Sequence, residues 1–403
     1  MDSLFRKCEQ DTRAEAARLA GIYPYFHRLE SRQDVEVVMD GRRRIMLGSN
    51  NYLGLTTCPE VVEAGIRALE KYGTGCSGSR FLNGTLDLHL ELEAELADFL
   101  GKEEALTFGT GFQTNLGIIS ALVGRHDCLI CDKEAHASVY CAAQMCLGKF
   151  LRFRHNDMSE LEARLKSVPA GCGALVVVDG AFSLGGDLAK LPEICRLAHQ
   201  YGAAVMVDDA HGLGVVGPEG RGTAHHFGLA AEVDILMGTF SKSLASLGGY
   251  VAASRTIIDY LRHASAPFIF SAAIPPASAA VALAALRHLR QHPELPRHLR
   301  EIADYARAAF RQRGIPLRAG AENNIAPILP IAIGGTQETL VAAKRIYEAG
   351  VFTNPFIPPG VPEGEGLLRT SFTAAHTPAL IDEAADILCR CGIVLSHCDE
   401  RRN

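Results

Sequence analysis

From residue 105 onward the chain alternates short apolar runs with longer stretches in which apolar side chains return every three or four residues. Runs of the first kind read as buried strands and those of the second as amphipathic helices. Their regular alternation predicts an α/β fold built on a mainly parallel sheet flanked by helices. Seven runs qualify as strands: 105–108, 127–131, 149–153, 174–179, 204–208, 235–238 and 249–252. Upstream, 59–72 reads as a helix opened by Pro59 and closed by Gly73, and 89–100 as a second whose core contacts are Leu90, Leu92, Leu96 and Phe99. Residues 35–42 predict a hairpin turning at Asp40-Gly41.

The pattern shifts after residue 257. Helices near 257–263, 279–289 and 299–311 precede a strand at 326–333, a helix at 338–349 and a proline-studded loop at 351–362 that cannot pair as a central strand. The run 367–372 and a helix opening at Thr377-Pro378 follow. The expected organisation is an N-terminal arm and hairpin over 1–55, a large domain over 56–290 and a smaller α+β C-terminal domain over 291–403. A chain of 403 residues exceeds the size at which one core usually stops growing, which agrees with this division.

Composition narrows the partners. A net charge of −6 argues against nucleic acid, whose phosphates demand a basic footprint. The twelve cysteines are scattered, and the start of the chain lacks a signal-peptide pattern, so a reducing cytoplasm is expected. Cys128 and Cys131 have half the spacing of a zinc site but lie in an apolar strand run, where they read as packing residues. No apolar run approaches the ~20 residues that cross a bilayer. Leu4, Phe5, Cys8, Ala16 and Leu19 make a weak helical pattern that suits a packed arm, with peripheral membrane contact as its outer limit.

The chemistry gathers where strands end, which is where open α/β sheets hold ligands. The run 235–238 breaks into Thr239-Phe240-Ser241-Lys242-Ser243. Hydroxyls there suit a phosphate, and an amine held near apolar walls becomes a nucleophile toward an aldehyde such as pyridoxal phosphate; an ordinary exposed lysine is the competing reading. After 105–108 comes Gly109-Thr110-Gly111-Phe112-Gln113, a glycine-bearing helix start suited to phosphate but lacking the dinucleotide spacing. His136 is a candidate to stack on a flat cofactor, or a structural histidine. Asp179, Asp208 and Asp209 end apolar strands, where a carboxylate needs a cationic partner. Asp208, Asp209 and His211 invite a metal reading too, yet further ligands have no clear source, and no metal is expected.

These residues, together with Asn50-Asn51-Tyr52-Leu53-Gly54, Asp208-Asp209-Ala210-His211-Gly212, Arg369-Thr370-Ser371 and Ala374-Ala375-His376, resemble the α-oxoamine synthase family of fold-type I pyridoxal-phosphate enzymes. The likeness covers nearly the whole chain. The stretch around Lys242, the loop 75–85 and the loop 355–362 look most like the bacterial serine palmitoyltransferase branch. The resemblance implies a large domain with a seven-stranded sheet and a homodimer with shared active sites. It also implies condensation of an amino acid, in this branch L-serine, with a long-chain acyl-CoA and loss of carbon dioxide. Lys242 would hold the cofactor, Asp208 meet its ring nitrogen, His211 its ring hydroxyl and His136 its face, with Ser183 beside the ring. Gly111, Phe112, Thr239, Ser241 and Ser271 of the partner subunit would bind its phosphate, while Asn50 and Arg369 would take the substrate carboxylate.

Leu184, Gly185 and Gly360 depart from the family pattern on the acyl side, so an acyl-carrier protein stands beside acyl-CoA as a donor. The 8-amino-7-oxononanoate synthase branch, which uses alanine and a pimeloyl thioester, usually has glycines flanking the lysine where this chain has Ser241 and Ser243. A non-catalytic scaffold subunit would have no use for Lys242.

Overall fold

The hairpin at the start is built by its turn. Strands β1 (Glu36–Met39) and β2 (Arg42–Met46) pair antiparallel around Asp40 and Gly41, whose φ values of 48° and 72° give the left-handed backbone of a two-residue hairpin turn. The structure, a computed structural model, describes residues 4–321 and 324–395.

The next seven strands are β3 (Glu104–Phe108), β4 (Cys128–Asp132), β5 (Lys149–Phe153), β6 (Ala174–Asp179), β7 (Ala204–Asp208), β8 (Ile235–Thr239) and β9 (Gly249–Ala253). They form one sheet in the order β3-β9-β8-β7-β6-β4-β5. β4 to β8 run parallel, and β9 is antiparallel to both of its neighbours. The runs of the central strands β4, β6, β7 and β8 are almost wholly apolar because helices cover both faces, whereas edge strand β5 exposes Lys149 and Arg152. On one face Val176, Val178, Val205 and Val207 pack with the helices Pro59–Tyr72, Asp87–Leu100 and Leu191–Gln200. On the other, Leu129, Cys131, Val177, Met206 and Met237 pack with Gly111–Leu122, Ala137–Met145 and Arg255–Ala264. Cys128 and Cys131 are both buried, and the described cysteines are free thiols.

Four strands complete the chain: β10 (Ile328–Gly334), β11 (Val351–Phe352), β12 (Asn354–Phe356) and β13 (Gly366–Ser371). β13 lies between β10 and β12, antiparallel to each. Pro355 therefore sits in an edge strand, opposite Leu368, where its missing N–H costs no central ladder bond. β11 pairs with β2, so the hairpin joins the C-terminal unit although some 300 residues of sequence separate them. Ile45 and Leu47 enter the same core as Phe310, Leu329, Leu368 and Phe372. The predicted helix at 299–311 begins earlier, at Leu295, because Pro296 is tolerated in a first turn. The arm forms two short helices, Arg6–Gln10 and Arg13–Leu19, and neither has a buried residue. Among the described residues no helix is long and apolar enough to cross a membrane.

The loop 75–85 is tied down by one ion pair. Arg80 donates to the Glu93 carboxylate at 2.7 and 3.0 Å, and Glu93 also accepts from the Thr107 N–H at 2.8 Å. Both charged side chains are at most 7% exposed. Arg80→Ala would leave Glu93 charged and buried, so a loss of about 3 kcal/mol in unfolding free energy is expected by urea denaturation; a loss below about 1 kcal/mol would show that the pair is solvated.

Candidate active site

The carboxyl ends of β6, β7 and β8 meet the start of the helix Gly111–Leu122 around a cavity of about 320 Å³. Its walls include Gly111, Phe112, His136, Asp208, His211, Thr239, Ser241 and Lys242, the residues that the strand-end pattern singled out. Each arrives from a different element. Thr110 caps the helix by accepting from the Gln113 N–H at 3.0 Å, which leaves the first-turn N–H groups of Gly111 and Phe112 without intrahelical partners. A Cβ on Gly111 would come within 2.9 Å of Thr239 Cβ, so only glycine lets the helix start approach β8 this closely. After β8 the chain turns tightly, with Thr239 Oγ1 donating to the Gly248 carbonyl at 2.9 Å and lying 2.9 Å from Ser241 Oγ.

Asp208 is 4% exposed at the end of β7. One oxygen accepts from Asn115 Nδ2 at 2.7 Å and the other from the Ala210 N–H at 3.1 Å. Asn115 gives a second N–H to Ser138 Oγ at 2.8 Å, which leaves the serine proton for His136 Nδ1, 2.7 Å away. One relay thus sets both the carboxylate and the imidazole. Desolvation lowers the pKa of His136, with Asp208 opposing and Lys242 reinforcing, and lowers that of His211 well below the ordinary value. Asp179, fully enclosed, is pushed well above the carboxylate range by desolvation and by the charge of Asp208. Lys242 falls from 10.5 to about 8, chiefly through desolvation, with Asp208 pulling the other way.

A second relay runs beside the first. The Tyr52 hydroxyl lies 2.6 Å from His211 Nδ1, 3.2 Å from Asn50 Oδ1 and 3.3 Å from Arg369 Nη2. Arg369, on β13 and 3% exposed, also donates from Nε to the Ser183 carbonyl at 2.6 Å and from Nη1 to Ser371 Oγ at 2.7 Å. Ser183, Asn50 and Arg369 do not line the cavity itself; Ser183 reaches Arg369 through its main chain, and Arg369 reaches the cavity through Tyr52 and His211. Ser271 lies outside the cavity of its own chain, where its Oγ accepts from Gln113 Nε2. The adjacent acids Asp208 and Asp209 part company: Asp209 turns inward and accepts from the Thr223 N–H and hydroxyl at 2.6 and 2.7 Å. It therefore does not join Asp208 and His211 around the cavity, and the metal reading loses a ligand.

Asn115, Ser138 and Tyr52 were not singled out by the sequence pattern. The available signal was polarity in the wrong place, since Asn115 and Ser138 are fully buried on the apolar faces of their helices. Asn115 Oδ1 has no hydrogen-bond partner, and it lines the cavity. The donor set, a half-buried lysine on the cavity wall, a carboxylate and a helix start flanked by hydroxyls, fits pyridoxal phosphate.

A sheet of this order with a lysine after β8 and an aspartate at the end of β7 is the architecture of a fold-type I pyridoxal-phosphate transferase. The family model for aminotransferase class I and II matches residues 42–388. Serine palmitoyltransferase of Bacteroides thetaiotaomicron is 49% identical over 368 residues, covering 91% of this chain and 92% of that one. A solved structure described as SPT with its PLP internal aldimine superposes with a TM-score of 0.93 at 36% identity, covering 97% and 98% of the two chains. The 8-amino-7-oxononanoate synthase of Thermoanaerobacter pseudethanolicus is 39% identical over 371 residues, 92% of this chain and 93% of that one. The chain belongs to the aminotransferase class I and II family, among its α-oxoamine synthases.

The lowered pKa of Lys242 has a kinetic consequence. Its reactive neutral form grows as pH rises through about 8. Capture of pyridoxal phosphate by the apo-protein, followed by visible absorbance, is expected to accelerate about tenfold between about pH 7 and about pH 9 and then level off. A rate still climbing steeply near pH 10 would show an ordinary lysine.

Proposed function

We propose that the protein joins L-serine to a long-chain acyl-CoA such as palmitoyl-CoA, releasing carbon dioxide and CoA and leaving an aminoketone. The observation that carries this reading is the half-buried Lys242 facing Asp208 in a chain whose relatives of 45–49% identity are named serine palmitoyltransferases, while oxononanoate synthases stand at 39–41%.

Bound pyridoxal phosphate supplies an electron sink that makes the α-hydrogen of an attached amino acid acidic. The residues of the chain divide the remaining work. Lys242 anchors the cofactor and, once displaced as a neutral amine, is the base that removes the α-proton. Asp208, oriented by Asn115 and the Ala210 N–H, would keep a proton on the ring nitrogen. His136, on the cavity wall, would lie against the ring face. The short contact with Tyr52 occupies Nδ1 of His211, so Nε2 is the ring nitrogen that would face the cofactor's ring oxygen. The N–H groups of Gly111 and Phe112 and the hydroxyls of Thr239 and Ser241 would hold the phosphate, with Ser271 of the partner subunit completing the set in a homodimer.

Arg369 has five N–H groups and spends three on Ser183, Ser371 and Tyr52. One remains on each Nη, the fork that binds a carboxylate in two places, with Asn50 alongside. There the amino acid would be held while its α-carbon, having given its proton to Lys242, bonds to the thioester carbonyl carbon and CoA leaves as thiolate; the carboxylate then departs as carbon dioxide, the α-carbon takes the proton back from Lys242, and solvent protonates the thiolate. We assign the reaction to the cytoplasm, which suits the free thiols of the described cysteines. An acyl-carrier protein is the other donor consistent with this chemistry.

The test is a panel of serine, alanine and glycine crossed with acyl-CoA lengths and an acyl-carrier thioester. L-serine with a C16 acyl-CoA is expected to give the highest kcat/KM; preference for alanine and a short diacid thioester would move the assignment to oxononanoate synthesis. Lys242→Ala is expected to lower kcat by a factor of about 100 or more with the fold retained by circular dichroism, and near-normal turnover would place the base elsewhere.

A further inference from the structure

His155 stands just beyond β5, outside the cavity, with a carboxylate on each ring nitrogen. Nδ1 is 3.1 Å from Asp132 Oδ1 and Nε2 is 2.8 Å from Asp187 Oδ2. A ring that bonds two carboxylates does so as an imidazolium, with both nitrogens donating. Burial opposes that charge, but the hydrogen bonds to Asp132 and Asp187 prevail and raise the group to about 10. Asp132 is fully buried at the end of β4 and is itself pinned, accepting from the Glu134 N–H at 2.8 Å and the Asn156 N–H at 2.9 Å. One end of this clamp is therefore part of the large sheet.

The other end is a loop. Asp187 closes the turn 182–187, its carbonyl accepting from the Phe182 N–H at 2.9 Å, and the His155 ring stands edge-on to Phe182 at 4.4 Å. Asn156 fastens the same turn by donating to Asp187 Oδ2 at 3.2 Å and to the Leu188 carbonyl at 3.1 Å. Between these anchors the turn presents the Ser183 carbonyl, which holds Arg369 Nε.

We propose that His155 is a positioning residue for the substrate carboxylate: by clamping the turn 182–187 to Asp132, it fixes the carbonyl that aims Arg369. This rests on the reading of Arg369 as the carboxylate-binding residue. His155 touches neither cofactor nor substrate. What it supplies is a rigid path from β4 to the arginine, across the seam between the large sheet and β13.

The test uses the holoenzyme and two probes, L-serine and L-serine methyl ester, which lacks the carboxylate. Dissociation constants are read from the change in visible absorbance of the bound cofactor. His155→Gln is expected to weaken serine about fivefold, to leave the ester and the cofactor content unchanged, and to cause no further loss in an Arg369→Ala background. Equal weakening of serine and ester, or losses that add in the double variant, would overturn the proposal in favour of a general packing role. Should His155→Gln fail to fold, Asp187→Asn, which keeps a hydrogen-bonding side chain, is expected to give the same serine-selective loss, and a loss shared by both probes would again overturn it. Arg369→Ala with undiminished serine affinity would remove the underlying reading, an outcome separable from failure of His155→Gln with Arg369 still required.

Discussion

The desolvation of Lys242 opposite Asp208 is the interaction on which this site depends. An amine taken out of water sheds its proton easily, and a nearby carboxylate opposes that; the balance sets Lys242 at about 8. Either group would be costly at the end of a buried strand without the other. The parallel sheet makes the arrangement available, because β7 and β8 are neighbours running the same way and present their carboxyl ends together. Asn115 and the Ala210 N–H occupy the oxygens of Asp208 on the protein side, so the carboxylate is held while the cavity stays open.

The large sheet does not complete the site. Arg369 comes from β13 and Asn50 and Tyr52 from the segment after β2, two regions brought together because β2 pairs with β11 and their apolar side chains share one core. Tyr52 links them to His211, and Ser183 links Arg369 to the turn after β6. One polar chain thus runs from His211 in the cavity through Tyr52 and Arg369 to the turn after β6, beside a second that joins Asp208, Asn115, Ser138 and His136. Such networks hold their geometry only when nearly every member is satisfied, which accounts for the number of buried polar residues around a cavity of this size.

Much of this was legible beforehand. All seven strand runs form strands within a residue or two; for the central ones burial on both faces leaves an apolar signature, while the half-exposed edge strand β5 still carries Phe150, Leu151 and Phe153. The hairpin was legible from Asp40-Gly41, whose backbone angles few other pairs accept. Gly111, His136, Asp208, His211 and Lys242 stood out because each interrupts or ends an apolar run, and the cavity gathers them all. Pairing of β12 at a sheet edge was less visible, for Pro355 signals only that a strand is not central.

What the sequence by itself determined was the order of the elements and the kind of chemistry at their ends: periodicity follows from which face is buried, and reactive side chains are conspicuous among apolar ones. What only the tertiary structure decided was which polar groups meet. Asp208 and Asp209 are adjacent letters, yet one faces the cavity and the other Thr223, because successive side chains of an extended chain point opposite ways. Asn115, Ser138 and Tyr52 acquire their roles through neighbours distant in sequence, Asp208, Asn115 and His211. A hydrogen bond needs its partner within about 3 Å, and that proximity is a property of the packed fold.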